Sequence, residues 1–440
     1  MVTFTELYNK FEKTSNLVKF EEEYSENNVA TRFLLIRSFD APNLKNLLKA
    51  HEISYETESL RELMEKVYNS KMSNNEIVIY IKEKRVELIE KREQEAIGLK
   101  EFLDSLTPGS AGIRDDNVNS LVSKFVRDKS IKDIDELSEQ LNRKILPRIK
   151  KYILWSFFNQ TANDLIELIF LKHSKIIPTL RKIHDIDFFI EFEDGNIIPF
   201  DLKVTHISDS YFDLAFQGIS ESPNDDGSVS FVIDNTKVSE LQYIKNYYID
   251  FKKEKELKSF SSLGNKAEKI RILENTLGIK IPHGIKTSEL TENYKDDYDK
   301  LVNESKLPNL SDFSSKAAII EYLSGFTETE EFISTLKEKR RSLVESTASE
   351  LQKLEWWNYK FQGERLFSNN NRIFLFFTYL EQFSDAKILK GKIEKFQDSI
   401  NLMLDSLTNE SVHNIKYYYD KDATHNGEYF CKSFSMIYYE

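Results

Sequence analysis

Three features of the sequence predict an α/β protein with more helix than strand. Only 13 glycines and 8 prolines occur in 440 residues, too few for a turn-rich β architecture. Residues 159–205, NQTANDLIELIFLKHSKIIPTLRKIHDIDFFIEFEDGNIIPFDLKVT, read as a helix, a loop and two strands joined by a tight turn. RIFLFFTYL, residues 372–380, is apolar enough for a strand covered on both faces. The length exceeds one ordinary domain, so two or three substructures are expected.

Taken in order, residues 1–106 predict a helical N-terminal region. Ser73 and Glu76 form a capping box opening a helix that runs past Glu95, with Ile77, Ile79, Ile81, Val86 and Ile89 as its apolar contributors. The dense charge of EKRVELIEKREQEAIGLKEF marks a solvated face of that helix. Thr107-Pro108-Gly109-Ser110-Ala111-Gly112 is the clearest break. Residues 117–205 then form the first part of a core. Their helical stretch, 118–158, has a last helix beginning at Pro147, and Trp155, Phe157 and Phe158 are read as packing residues. Residues 206–354 read as a largely helical insertion, with a loop at 220–227 and a strand at 228–233; within it Lys337, Lys339, Arg340 and Arg341 are candidate phosphate contacts. Residues 355–440 complete the core with the strand at 372–380, a helix at 387–404 and a hairpin with Asn426-Gly427 in its turn.

The polar residues of 159–205 fall where a core does not want them. Residues 163–171 are apolar around most of a helix, yet Asn159, Asn163 and Glu167 recur every fourth residue, with Asp164 three before Glu167. A buried polar line needs partners. In the two strands, alternation puts Phe188, Ile190, Phe192, Ile198, Phe200, Leu202 and Val204 on one face; Asp187, Asp201 and Lys203 share the other. With Asp194-Gly195-Asn196 as a three-residue turn, Asp187 pairs with Lys203 and lies diagonal to Asp201, roughly 7–8 Å between backbones, close enough to share a cation.

Two acids and a lysine on a strand pair, with a glutamate arriving from the preceding helix, resemble the PD-(D/E)XK nuclease superfamily. NQTANDLIELIF, IPTLRKIHDIDFFI, PFDLKVT and the later WNYKFQGERLFSNNNRIFLFF (residues 357–377) are similar to a group of bacterial type II restriction-endonuclease-like proteins. The resemblance implies a restriction-endonuclease-like mixed sheet flanked by helices. It makes Asp187 the first acid, Asp201-Leu202-Lys203 the acid-x-lysine element and Glu167 the helical acid; Ile186 stands where the pattern has proline. It implies Mg²⁺, with Mn²⁺ as a substitute, held by Asp187, Asp201 and Glu167. Mg²⁺ keeps waters and needs only one or two carboxylates plus a substrate phosphate. Lys203 then orients the attacking water and stabilises charge on the phosphate. Gln362 and Arg365, with Arg181 and Lys182, are the candidate DNA or phosphate contacts, and Asn159, Asn163 and Asp164 the supporting residues. The implied activity is DNA cleavage in restriction or anti-phage defence, by a homodimer if both strands are cut; the resemblance does not reach residues 1–106, which are open to target recognition, partner docking or autoinhibition. A cleavage-incompetent nucleic-acid-binding or assembly protein and an RNA-cleaving nuclease are the rivals.

Composition sets the outer bounds. One cysteine, Cys431, excludes an internal disulfide framework and fits a reducing cytoplasm. No apolar run reaches the roughly 20 residues of a membrane span, and MVTFTELYNKFEK does not read as a signal peptide. A net charge of −12 argues against a chain that coats nucleic acid with its whole surface. Between Arg143 and His184, however, nine basic side chains face only Asp164 and Glu167, a local footprint suited to a phosphodiester backbone. Neither a phosphate-binding glycine loop nor a dinucleotide fingerprint occurs, and the seven histidines show no zinc-ligand spacing.

Overall fold

The computed structural model describes the chain apart from residues 1, 14–16, 108, 116, 226–227, 346, 362–369, 385 and 420–425. It is α/β, built on a mixed sheet with helices against it. The strands among the described residues are β1 (Ile176–Ile183), β2 (Ile186–Glu191), β3 (Ile197–His206), β4 (Ile219–Pro223), β5 (Val229–Ile233), β6 (Arg372–Thr378), β7 (His413–Tyr419) and β8 (Gly427–Tyr439), and they lie in the order β1-β2-β3-β6-β8-β7-β5-β4. The first three pair antiparallel; β6 then pairs parallel with both β3 and β8.

β1 is an addition to the sequence reading, which left IIPTLRKI as loop. Pro178 breaks its alternation, but at the sheet edge a missing N–H is tolerated. The two residues between Ile183 and Ile186 turn the chain, with Asp185 at φ +64°.

The alternation in β2 and β3 sorts as expected, and each face has its own cover. Phe188, Ile190, Phe192, Ile198, Phe200 and Val204 pack under the long helix Leu146–Lys172, where the Phe170 and Phe188 rings stack at 5.4 Å. On the other side Ile177, Ile183, Ile186 and Phe189 join a second core made by the N-terminal helices, including Phe33, Leu34, Ile77 and Ile81. Burial of each such side chain stabilises by about 1.5–3 kcal/mol. The N-terminal helices are therefore the cover of one sheet face. Ser73 caps the helix Asn74–Glu95 with the reciprocal Glu76 bond.

Two compact units emerge: residues 1–211, 218–234 and 340–440, and residues 212–217 with 235–339. The span expected as insertion, 206–354, thus divides, because β4 and β5 are strands of the sheet. The helix Ala348–Phe361 likewise lies in the first unit, with Tyr359 stacked on Tyr417 of β7 at 5.4 Å. The second unit is helical, held by an aromatic cluster around Tyr248, Phe313, Tyr322 and Phe326 and by the buried Lys316–Glu240 ion pair at 2.5 Å. At the C-terminal end Tyr419 pairs with Gly427, so Gly427 is the first residue of β8 and not part of its turn. The helix expected at 387–404 is divided into a 3-10 turn, Ala386–Gly391, and the helix Ile393–Ser406.

The expected break at 107–112 is docked rather than loose. Ala111 is buried, and the Ile113 N–H donates to the Lys151 carbonyl at 3.0 Å. Gly112 has φ +79°, and a Cβ there would collide with the Lys151 carbonyl oxygen and the Trp155 backbone nitrogen. Gly112→Ala should lower stability by about 2–4 kcal/mol, read by denaturant unfolding. A loss under half a kcal/mol would mean that this contact does not form.

Candidate functional site

The site begins at the turn between β2 and β3. The Phe192 N–H donates to the Asn196 carbonyl at 2.8 Å and the Gly195 N–H to the Phe192 carbonyl at 2.9 Å, so the loop is Glu193-Asp194-Gly195. Gly195, at φ +80°, supplies the left-handed position that closes a three-residue hairpin. This corrects the expected register: carried one residue further it sets Asp187 toward Asp201, where Lys203 was expected, and its last pair is Phe188 with Phe200.

Beyond that pair the β2–β3 ladder ends. The Leu202 N–H, which the next ladder bond would use, donates instead to Asp187 Oδ2 at 2.8 Å. Burial, and then the Asp201 carboxylate beside it, push Asp187 up to about 7. Asp201 is fixed from the β6 side: its N–H donates to the Asn371 carbonyl at 2.9 Å, and its Oδ2 accepts from Arg372 Nε at 2.9 Å. Arg372 is only 2 % exposed, so this is a buried ion pair. Asn371 Nδ2 also donates to Glu21 at 2.7 Å, and burial pushes Glu21 up to about 7.

Glu167 does not complete a triad with these acids. Its carboxylate accepts from Arg92 at 2.6 Å, joining the helix Asn74–Glu95 to the long helix beside a cavity of about 240 Å³ that Asp164 and Lys182 also line. Among the described residues, no three His, Cys, Asp or Glu side chains are placed to hold a metal ion. The structure thus brings Asp187 and Asp201 together, while Glu167 pairs with Arg92 and acts on Asp187 through its charge alone. Asp164 is exposed and accepts from Gln160. Asn163, one turn before Glu167, is half-buried.

Lys203 follows Asp201 on β3, where it lines a second cavity with Asn159. There the structure adds a residue that the sequence reading missed. Lys390, buried at the end of the 3-10 turn, donates to Asn159 Oδ1 at 2.6 Å and to the Val204 carbonyl at 3.2 Å, occupying the β3 edge that β2 leaves open. No motif around Lys390 signals this. Arg372 did leave a trace, being the one charge heading an otherwise apolar strand.

The basic footprint is smaller than the sequence count suggests. Arg148 pairs with Asp115 and Lys172 with Glu93, while Lys175 donates to the Asp405 and Leu407 carbonyls. Arg181 Nη2 donates to the Arg37 carbonyl at 3.1 Å, fastening β1 to the helix Val29–Arg37, so it acts as a structural tie. Lys182 remains exposed. Arg340 and Arg341 pair with Asp209 and Glu381, and Lys339 lies 3.5 Å over the Phe216 ring. Gln362 and Arg365 lie outside the described residues.

Asp187 makes a signed prediction. With its folded value raised from 3.8 to about 7, the folded chain keeps a proton that the unfolded chain has lost, so stability falls as pH rises through that window. In EDTA, Asp187→Asn should gain about 1–2 kcal/mol at pH 8 and nothing near pH 4, read by thermal melts. An equal effect at both pH values would show that Asp187 titrates normally. Arg372→Met should lose about 3–5 kcal/mol by stranding Asp201, and Asp201→Asn in the same chain should restore most of it. No helix among the described residues is long and apolar enough to cross a membrane. Compared with protein-family models, curated proteins and solved structures, the chain matches none.

Proposed function

We propose that the chain is a divalent-metal-dependent nuclease that hydrolyses phosphodiester bonds of DNA, in restriction or another anti-phage defence. The observation that carries this reading is the opposed Asp187–Asp201 pair at the end of the β2–β3 ladder, where burial and repulsion hold Asp187 at about 7. Two carboxylates held together in this way destabilise their own ionised forms, and a divalent ion removes that penalty. The donors suit such an ion. Each aspartate uses Oδ2 in the bonds described, which leaves two hard Oδ1 oxygens, enough for Mg²⁺ or Mn²⁺ with waters and a substrate phosphate. Bound there, the ion would stabilise charge on the phosphate and lower the pKa of the attacking water.

The chain's own residues supply the rest. Asp187 and Asp201 would hold the ion beside the open edge of β3, and Lys203 orients the water and offsets negative charge on the phosphate oxygens. The water oxygen bonds to phosphorus as the bond from phosphorus to one sugar oxygen breaks. That sugar oxygen takes a proton, leaving a phosphate monoester and a hydroxyl. Glu167, paired with Arg92, is a positioning residue that holds the N-terminal helical cover beside the acids. Cutting both strands of a duplex requires two such sites, so a homodimer belongs to the reading.

One observation favours a second reading. Arg372 already neutralises one of the two acids from within the core, as expected of a nucleic-acid-binding relative that no longer cleaves. Supercoiled plasmid and a transcript of the same sequence, each offered with Mg²⁺ or Mn²⁺, separate the possibilities. We expect the DNA to be cut, with a loss of about 10²-fold or more in Asp187→Ala and Asp201→Ala while DNA binding persists. Binding without cutting supports the second reading, cutting of the transcript alone makes the enzyme a ribonuclease, and full activity in Asp201→Ala overturns the assignment.

A further inference from the structure

The β3 edge past Asp187 borders a cavity of about 140 Å³ lined by Arg114, Lys203, His206, Lys387 and Lys390, with Trp155 and Asn159 of the long helix. Two close approaches build it. Gly112 lets the backbone before Arg114 lie against the long helix, and the Arg114 guanidinium sits 5.8 Å from the Trp155 ring. Gly391, whose Cβ position would press on the Phe158 ring at 3.0 Å, lets the 3-10 turn deliver Lys390 to Asn159 and Val204.

Lys390 is 5 % exposed, and the hydrogen-bond acceptors it has among the described residues are both neutral oxygens. Burial, and then the charge of Lys203, push it down to about 7. An amine in that position is completed by an anion, which would restore its proton. A cavity of about 140 Å³ has room for a phosphoryl group.

We propose that this cavity binds a phosphoryl group, at a place distinct from the Asp187–Asp201 pair. Basic side chains from three segments, the stretch before the helix Val118–Val126, β3 and the 3-10 turn, surround it, and Asn159 fixes the orientation of Lys390. That the group belongs to a nucleic-acid strand rests on the nuclease reading; that the cavity takes a phosphoryl oxyanion does not. A strand offers either a terminal phosphate or an internal diester, and both present the same oxygens.

The test uses the full chain carrying Asp187→Asn, in EDTA, so that binding is read without turnover. Inorganic phosphate is titrated by calorimetry in buffers of different ionisation enthalpy, followed by one oligodeoxynucleotide with a 5′-phosphate and the same one with a 5′-hydroxyl. We expect phosphate to bind with proton uptake between pH 7 and 8. Lys390→Met should weaken it at least tenfold and abolish the uptake. His206→Gln keeps the uptake, which separates Lys390 from the histidine facing the cavity. Lys387 is exposed, and Lys387→Gln should also weaken binding about tenfold. Tighter binding of the 5′-phosphorylated strand assigns a terminal phosphate, and equal binding of both strands an internal diester. No phosphate binding, or binding unchanged in both lysine variants, overturns the proposal. Metal-dependent cleavage by the unaltered chain in that case leaves the nuclease reading standing. Phosphate binding with no cleavage of DNA or RNA keeps the cavity and removes the nuclease.

Discussion

The site depends on where a strand ladder stops. After Phe188 and Phe200 the β2–β3 pairing gives out, and the Leu202 amide would be left without an acceptor in a partly buried place. The Asp187 carboxylate takes that amide, which pins a poorly solvated charge against Asp201. Every other feature of the site answers to this one. Arg372 compensates Asp201 from beneath, Lys390 occupies the next stretch of open β3 edge, and both cavities flank the same break.

How much of this the sequence disclosed depends on the range of the interaction. The period of two in β2 and β3 correctly put Asp187, Asp201 and Lys203 on one face, because alternation is local and a buried strand has little freedom to violate it. The turn lies one residue earlier than expected, which moves the pairing by two, since two overlapping three-residue loops through Asp194 and Gly195 satisfy the same parity. Gly195 N–H to Phe192 chose between them. β1 was missed because Pro178 and the basic run Arg181-Lys182 resemble a loop, and only its edge position makes a strand of them. Lys390 was invisible for a different reason. Its environment comes from a helix more than two hundred residues earlier, and nothing in ILKGKIEKF announces that contact.

The N-terminal helices show how a tertiary partner changes the meaning of a pattern. Read alone, their apolar stripes suit a separate domain or a docking surface. In the fold those stripes cover the β1–β2 face, and Arg92 reaches the long helix to hold Glu167. The glutamate that sequence spacing offered as a metal ligand is thereby turned toward an arginine, and the candidate centre reduces to two aspartates. A carboxylate on a buried helix line needs a partner, and a cation supplied by the chain serves as well as a bound ion.

The parallel core of the sheet has a consequence for the chain as it is made. Asp201 is held by Arg372, which comes 171 residues later, and β6 in turn lies against β8, where Arg372 is opposite Ser433. Such distant pairings form late, after loop closure has been achieved. A chain not yet extended through β8 would carry the aspartates of β2 and β3 without the support that aligns them. On the nuclease reading proposed above, such a chain would not yet be able to cut DNA.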